Sequence, residues 1–146
     1  MVRWGLFGTL TRISAYANIT NMKDAEYLAR ILKALGEPTR LRIMFLLEKG
    51  PLCVCEIMGI LGITQTKASR HLSYLKNAGL LSSKREDRWI VYFIREDLDK
   101  EVRGVVDAAL RAFEVLEEAS RLEAKREEIV SNADYRKTHW REVKDA

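Results

Sequence analysis

The chain has 146 residues and a formal net charge of +4, and 47% of its residues are hydrophobic and 32% charged. This length suits one domain with appendages, and this composition excludes an intrinsically disordered chain. No apolar run approaches the roughly 18 to 20 residues of a transmembrane helix, and the N-terminus lacks the continuous apolar segment of a signal peptide. We therefore expect a cytoplasmic protein without a membrane partner.

Three segments are expected along the chain. Residues 1–21 are predicted to be an N-terminal extension that is either disordered or a weak helix. Residues 22–120 are predicted to form the folded domain with its dimerisation helices. Residues 121–146 are heavily charged, and we expect a helical tail that frays or packs on the surface of a dimer.

Three helices are predicted before residue 62. Apolar positions repeat with a helical period from Asp24 to Leu35, where Gly36 closes the pattern. A second helix begins at Pro38, carries a wide apolar face and ends at Gly50. A third, short helix is predicted from about Cys53 to Leu61, and a tight glycine-containing turn follows it.

A fourth helix is predicted in the stretch "TQTKASRHLSYLKNAG", with Thr64 as its N-cap. Ala68, Leu72 and Leu75 fall on one face, while the opposite face is polar and basic. A helix, a three-residue turn and a second helix with such a face are typical of a helix-turn-helix. The residues predicted to contact DNA from this helix are Thr64, Gln65, Thr66, Lys67, Ser69, Arg70 and Ser73.

The next segment, "LLSSKREDRWIVYFI", alternates with the period of a β-strand and turns at Glu86 and Asp87. It predicts a β-hairpin wing whose tip carries Lys84, Arg85 and Arg88 for contact with the DNA backbone or minor groove. From residue 64 to residue 95 there are seven basic residues and two acidic ones, whereas the rest of the chain is nearly neutral. Such a concentration of positive charge indicates a surface that meets phosphates.

A long apolar stripe follows, from Leu98 to Leu116 at helical spacing. It is too long for so small a core to cover, so a partner helix is implied, most simply from an identical chain. We expect a homodimer formed through the first and C-terminal helices. Such a dimer would place two recognition helices about one DNA turn apart, which suits a palindromic double-stranded operator.

Both cysteines of the chain lie at the start of the third helix, in the stretch "LCVCE". Cys53 and Glu56 have the spacing of a capping box in which cysteine replaces serine or threonine, at a cost of about 1 kcal/mol. Residues two apart on a regular helix point about 200° from each other. Joint binding of one ion by Cys53 and Cys55 is therefore expected to require unwinding of the first turn. The residues alone also allow two other interpretations, which are packing as small hydrophobes and a reversible disulfide.

Residues from about Leu28 to Ile94 resemble the ArsR family of metal- and metalloid-responsive repressors. The stretches "ALGEPTRLRI", "SRHLSYLKNAGLL" and the wing, in this order, carry the resemblance. It implies a mainly α fold with a β-hairpin wing, and a homodimeric winged helix-turn-helix repressor that leaves its operator when an effector binds. The Cys-Val-Cys stretch is similar to that of the arsenite-sensing subgroup, which has a further cysteine three residues on, where this chain has Met58.

We therefore expect a repressor that is released by arsenite or antimonite bound through Cys53 and Cys55, with no required cofactor. A thiol-redox response, a soft metal such as cadmium, or DNA binding without an effector are the alternatives. An enzyme is not expected, because the Cys-x-Cys spacing lies outside any βαβ pattern and no cluster of acid, base and nucleophile is present. His71 is predicted to be a packing residue or phosphate contact, and His139 a surface residue.

Overall fold

The computed structural model describes residues 24–144, so the N-terminal extension predicted at residues 1–21 lies outside the described part. Within that part the chain forms helices and one small antiparallel sheet. The helices are α1 (Ala25–Leu35), α2 (Pro38–Glu48), α3 (Val54–Leu61), α4 (Gln65–Asn77), α5 (Lys100–Glu114), α6 (Glu117–Ser131) and α7 (Tyr135–Lys144). The strands are β1 (Leu52–Cys53), β2 (Leu81–Glu86) and β3 (Trp89–Ile94). None of the helices of residues 24–144 is both long and apolar enough to cross a membrane.

The junction of α1 and α2 is fixed by side chains that complete the hydrogen bonds of both helix ends. Glu37 caps α2 by accepting the Arg40 amide N–H at 2.8 Å, and Pro38 occupies the first turn, as predicted. The Arg40 guanidinium donates to the carbonyl oxygens of Ala34 at 2.6 Å and Lys33 at 2.8 Å. Because the last carbonyls of a helix have no partner inside it, these bonds join α1 to α2.

The core lies between α1, α2, α4 and α5, and α2 is its central helix, with contacts to α1, α4, α5, α6 and β3. On α4 the predicted apolar face is confirmed, since Ala68, Leu72 and Leu75 are all fully buried. Gly62 ends α3 in the left-handed conformation with φ of 63°, which glycine adopts without steric cost. The helix-turn-helix is therefore held by buried residues of α4 and by a turn that requires glycine.

The wing is an antiparallel hairpin of β2 and β3, as predicted, with Asp87 in the left-handed region at its two-residue turn. A third strand, β1, was not expected from the sequence. It pairs with β3 so that Cys53 lies opposite Val91, and the strand order is β1-β3-β2. The helix that begins after β1 is therefore attached to the wing through backbone pairing.

The helices of the C-terminal third differ from the prediction, which was one continuous helix with an apolar stripe followed by a separate charged tail. The helical run breaks at Val115 and Leu116, and α6 passes through the expected boundary between residues 120 and 121. Helix α6 packs on α2 and α3, and α7 packs on α3, all within one chain. The apolar side chains of Ala119 and Ile129 are buried in this arrangement, so a segment with a mostly charged composition still docks on the domain.

We predict that Arg126→Ala weakens this docking. The Arg126 guanidinium donates to the carbonyl oxygens of Leu46 at 3.0 Å and Gly50 at 3.3 Å, at the end of α2. Removing two bonds from a charged, half-buried donor should lower the free energy of unfolding by about 1 to 2 kcal/mol. Urea unfolding checks this, with Lys125→Ala as the control, because Lys125 is exposed and pairs only along its own helix with Glu128. Equal losses in the two variants would contradict the assignment.

Candidate DNA-binding surface and effector site

The outer face of α4 presents the residues that the sequence assigned to DNA. Thr66, Lys67, Arg70 and Ser73 are exposed, and Gln65 and Ser69 are half-buried. Helix α4 therefore has an exposed face of short polar side chains and two cations, which suits base edges and phosphates in a major groove.

Hydrogen bonds at the start of α4 hold its first turn in place. The Thr64 hydroxyl accepts the Lys67 amide N–H at 3.2 Å, which confirms the predicted N-cap. The Gln65 amide donates to the Ser69 hydroxyl at 2.8 Å, one turn further along. These bonds order the end of the helix that is expected to enter the groove first.

The three basic residues predicted at the wing tip each interact with another group of the wing. The Lys84 ammonium lies 3.1 Å from a Glu86 carboxylate oxygen, and Arg85 donates to the Asp87 carbonyl at 2.8 Å. The Arg88 guanidinium lies 5.4 Å from the centre of the Trp89 ring. Hydrogen bonding and attraction to Lys84 hold the pKa of Glu86 below its ordinary value. The wing tip is thus a mixed-charge loop rather than a purely basic one.

The sequence did not indicate a role for Tyr74 of α4 or for the neighbouring Arg40. Tyr74 is 38% exposed on α4, and the Arg40 guanidinium lies 4.0 Å from the centre of its ring. In the sequence, Arg40 appears only as part of the start of a helix. It is too far from Tyr74 along the chain for a periodic pattern to link the two residues. Their stacked arrangement adds a cation next to the recognition helix.

His71 occupies the edge of α4 that faces α2. Its Nδ1 lies 3.5 Å from a Glu37 carboxylate oxygen, and its side chain is largely buried. Burial lowers the pKa of His71, against the opposing attraction of Glu37, and nearby Arg40 and Lys67 lower it further. This placement agrees with a packing role for His71. His139, expected on the surface, is half-buried and stacks on Tyr135 with ring centres 4.1 Å apart.

The two cysteine sulfurs lie side by side. The Sγ atoms of Cys53 and Cys55 are 2.7 Å apart, and both residues are buried and not joined by a disulfide. The expectation that the sulfurs point away from each other is wrong. Cys53 is the N-cap residue, with extended backbone angles of φ −82° and ψ 166°, so helical geometry does not apply to it. The pair can therefore approach one ligand without unwinding of α3.

The hydrogen bond between the sulfurs gives the two thiols different acidities. It raises the pKa of Cys53, and burial and the neighbouring Glu56 carboxylate raise it further. The same bond lowers the pKa of Cys55, where burial opposes it and the Arg136 cation supports it. Cys55 is therefore the first of the pair to lose its proton, and the Cys53 thiol donates to the resulting thiolate.

Glu56 connects the cysteine pair to the C-terminal helix. One of its oxygens accepts the Cys53 amide N–H at 2.8 Å, which confirms the glutamate half of the predicted capping box. The Arg136 guanidinium of α7 donates one hydrogen bond to each oxygen of the same carboxylate, at 2.9 Å and 3.2 Å. Glu56 is 4% exposed, and the ion pair with Arg136 gives this buried side chain a charged partner.

The cysteine pair also packs against the wing. Cys53 and Cys55 form a small buried cluster with Val91, and Trp89 packs against it. Val91 and Trp89 lie on β3, so the cysteines pack against the strand that follows the wing tip. Among residues 24–144, no three histidine, cysteine or acidic side chains come together as a metal-binding group.

The sequence reasoning missed Arg136, Glu56 as an ion-pair partner, and Tyr135, whose hydroxyl lies 3.5 Å from the Cys55 carbonyl oxygen. Arg136 and Glu56 are 80 residues apart in the chain. A charged residue in a charged tail carries no local signal for such a contact.

Comparison with known proteins identifies the family. Residues 37–83 match the model of a family described as bacterial regulatory protein, arsR family. An uncharacterised HTH-type transcriptional regulator of Methanocaldococcus jannaschii is 44% identical over 87 residues, which cover 59% of this chain and 98% of that protein. The arsenic resistance transcriptional regulator ArsR1 of Pseudomonas putida is 39% identical and matches 53% of this chain and 65% of its own length. The arsenical resistance operon repressor of Escherichia coli is 36% identical, over 56% of this chain and 71% of the repressor.

Solved structures with a similar fold point to the same family. HlyU of Vibrio cholerae has a TM-score of 0.55 at 26% identity, over 64% of this chain and 98% of that one. The homodimeric winged helix-turn-helix DNA-binding domain of Mb0332 from Mycobacterium bovis has a TM-score of 0.51 at 33% identity, over 63% and 86% of the two chains. The fold, the order of the elements and these matches lead to one conclusion. The chain belongs to the arsR family of bacterial regulatory proteins and is a DNA-binding transcription regulator with a winged helix-turn-helix fold.

Proposed function

We propose that the protein is a homodimeric repressor in the cytoplasm that leaves a palindromic operator when arsenite or antimonite binds to Cys53 and Cys55. The observation that supports this most strongly is the pair of sulfurs 2.7 Å apart at the junction of β1 and α3. That junction precedes the recognition helix α4 and is paired with the wing. A ligand held there would act on both elements that are expected to contact DNA.

The chemistry of the pair suits a thiophilic effector. Soft thiolates select soft ions, and arsenite and antimonite accept low coordination numbers. Cys55 supplies a thiolate readily, and Cys53 then loses its proton as the ligand binds. A third ligand would come from water or a small-molecule thiol, because residue 58 is methionine rather than cysteine. Two relatives whose names refer to arsenic resistance add support from similarity.

The coupling to DNA would run through the wing as well as through α4. A soft ion bonded to two sulfurs at about 2.3 Å each holds them roughly 3.3 Å apart or further, since the angle between such bonds is about 90° or more. An ion bonded to both sulfurs adds an atom to a buried cluster that also contains Val91 and Trp89, so binding disturbs this packing. Cys53 is paired with Val91, and the disturbance therefore reaches β3.

The direct test is a fluorescence-anisotropy titration of the protein onto double-stranded DNA from its own upstream region, with and without arsenite. We expect tight binding that falls steeply with salt, and release on addition of arsenite. If arsenite does not change the binding, the protein binds DNA but does not respond to this effector. Release by cadmium ions, but not by arsenite, would support the soft-metal alternative.

A redox response is the second candidate, and the short distance between the sulfurs favours it. Hydrogen peroxide would take two electrons from the two thiols, releasing two protons, so that one S–S bond forms and peroxide is reduced to water. Release of DNA by peroxide and recovery with dithiothreitol, in the absence of arsenite, would select this function.

We predict that Ala108→Arg disrupts the dimer. The outer face of α5 carries the exposed small residues Gly104, Ala108 and Ala112, which allow a second helix to approach closely. A long cation in the middle of this face should shift the protein towards the monomer and weaken operator binding by about tenfold or more, because both half-sites are then not held together. Sedimentation velocity measures the first effect and anisotropy the second. Lys125→Ala, on the exposed face of α6, is the control.

A further inference from the structure

The cysteine pair is closed off from solvent. Cys53 is 1% exposed and Cys55 is 3% exposed. Helix α7 of the same chain lies against α3, which begins between the two residues. An effector that bonds to both sulfurs therefore needs the surrounding contacts to open before it can enter.

One contact that holds α7 on α3 is a close approach of Tyr135 to Gly59. A Cβ added at residue 59 would overlap the Tyr135 hydroxyl, so this approach requires glycine in the middle of α3. The same hydroxyl donates to the Cys55 carbonyl at 3.5 Å. Glycine inside a helix costs about 1 kcal/mol relative to alanine, and here it makes room for α7.

The second contact is the ion pair of Arg136 with Glu56. The carboxylate oxygen that accepts the Cys53 amide at 2.8 Å also accepts from Arg136 at 3.2 Å. Arg136 lies, in addition, 3.5 Å from a carboxylate oxygen of Glu86, at the end of β2. One guanidinium thus joins the cap of α3, the C-terminal helix and the wing.

Entry of an effector strains this arrangement. Both cysteines are buried, so an ion bonded to their sulfurs must displace groups packed around them, and the start of α3 with Glu56 is among these groups. The hydrogen bond to Cys53 and the two bonds to Arg136 then cannot all be kept in good geometry.

We propose that α7 is a cover over the effector site, that Arg136 holds it closed through Glu56, and that effector binding releases it. This inference rests on the proposed function. Arg136 is a positioning residue, because it acts on the cysteines through Glu56. Release of α7 also removes Arg136 from Glu86, so the state of the thiol pair reaches the wing along a second route.

The first test measures how fast the cysteines react with 5,5′-dithiobis(2-nitrobenzoic acid) in the folded full-length protein. All signal comes from the pair, because the chain has two cysteines. Arg136→Gln should raise the rate about tenfold or more, since opening of α7 becomes easier. Arg136→Lys, which keeps the charge but loses the forked geometry, should lie between Arg136→Gln and the wild type. Lys137→Gln is the matched control, because Lys137 is exposed and pairs with Asp134, the residue that precedes α7.

Gly59→Ala provides an independent route to the same result, since it displaces Tyr135 without changing any charge. It should also raise the rate, and it keeps the test decisive if Arg136→Gln does not fold. Wild-type rates in both variants would overturn the proposal. An equal increase in Lys137→Gln would overturn it as well, because the effect would then not depend on the contact with Glu56.

The second test follows hydrogen exchange of residues 135–144 with and without arsenite. We expect arsenite to speed exchange in the wild type and to have no effect in the Cys53→Ser/Cys55→Ser variant. If arsenite releases DNA while exchange in α7 is unchanged, release of α7 by the effector is wrong and the proposed function stands. If arsenite releases no DNA, the proposed function fails, whereas the reaction rates, which involve neither arsenite nor DNA, still decide how α7 protects the thiols.

Discussion

Replacing Cys53 and Cys55 together by serine is expected to leave operator affinity within about twofold of the wild type and to abolish release by arsenite. Hydroxyl groups do not replace thiolates as ligands of a soft ion, so the response disappears. The exposed polar face of α4 is not altered, and the backbone amide of residue 53 can still donate to Glu56. Anisotropy titrations with and without arsenite, at fixed salt, measure both quantities.

Serine is a better N-cap than cysteine, so the variant should lose little stability or gain up to about 1 kcal/mol. If the cysteines serve only as buried packing residues, the variant should instead unfold more easily and bind DNA poorly. Met58→Leu is the matched control, because it keeps the volume of a half-buried side chain in the same helix and removes its sulfur. A lost arsenite response in this control would make Met58 the third ligand.

Arg70→Ala is expected to weaken operator binding by roughly tenfold to a hundredfold, because an exposed guanidinium on the outer face of α4 is lost. The salt dependence distinguishes two roles. A phosphate contact predicts weaker binding to every DNA sequence and a salt slope that is smaller by about 1. A base contact predicts relaxed specificity at one position of each half-site and an almost unchanged slope.

The control for Arg70→Ala is Lys125→Ala, which removes one positive charge from an exposed position on α6 rather than on α4. Both variants have the same net charge, so a general loss of attraction to DNA affects them equally. If the two variants bind the operator with the same affinity, α4 is not the recognition helix and the proposed docking fails.

The local elements of this fold could be predicted from the sequence because each has a local cause. The N-caps at Glu37 and Thr64 and the glycine turn at Gly62 mark helix ends within a few residues. Alternation in the wing and the apolar face of α4 are periodic patterns that an isolated segment already carries. The resemblance to one family over these same residues is therefore consistent with the physical interpretation.

The geometry of the proposed effector site could not be predicted in the same way. The sequence places two cysteines two residues apart, but their sulfurs meet because β1 pairs with β3 and holds Cys53 in an extended conformation. A two-residue strand has too few positions to show a period. Its existence depends on a partner strand almost 40 residues later in the chain.

The sequence by itself determined a helix-turn-helix with a β-hairpin wing, a basic segment around them and a pair of neighbouring thiols. The tertiary structure alone decided that these thiols are adjacent and buried, that Arg136 grips the glutamate beside them, and that α6 and α7 return to their own chain. The physical reason is the distance along the chain between the residues that interact. Helix and strand patterns arise from neighbours a few residues apart, whereas the ion pair of Arg136 with Glu56 joins groups 80 residues apart and becomes favourable only after the core has brought them together.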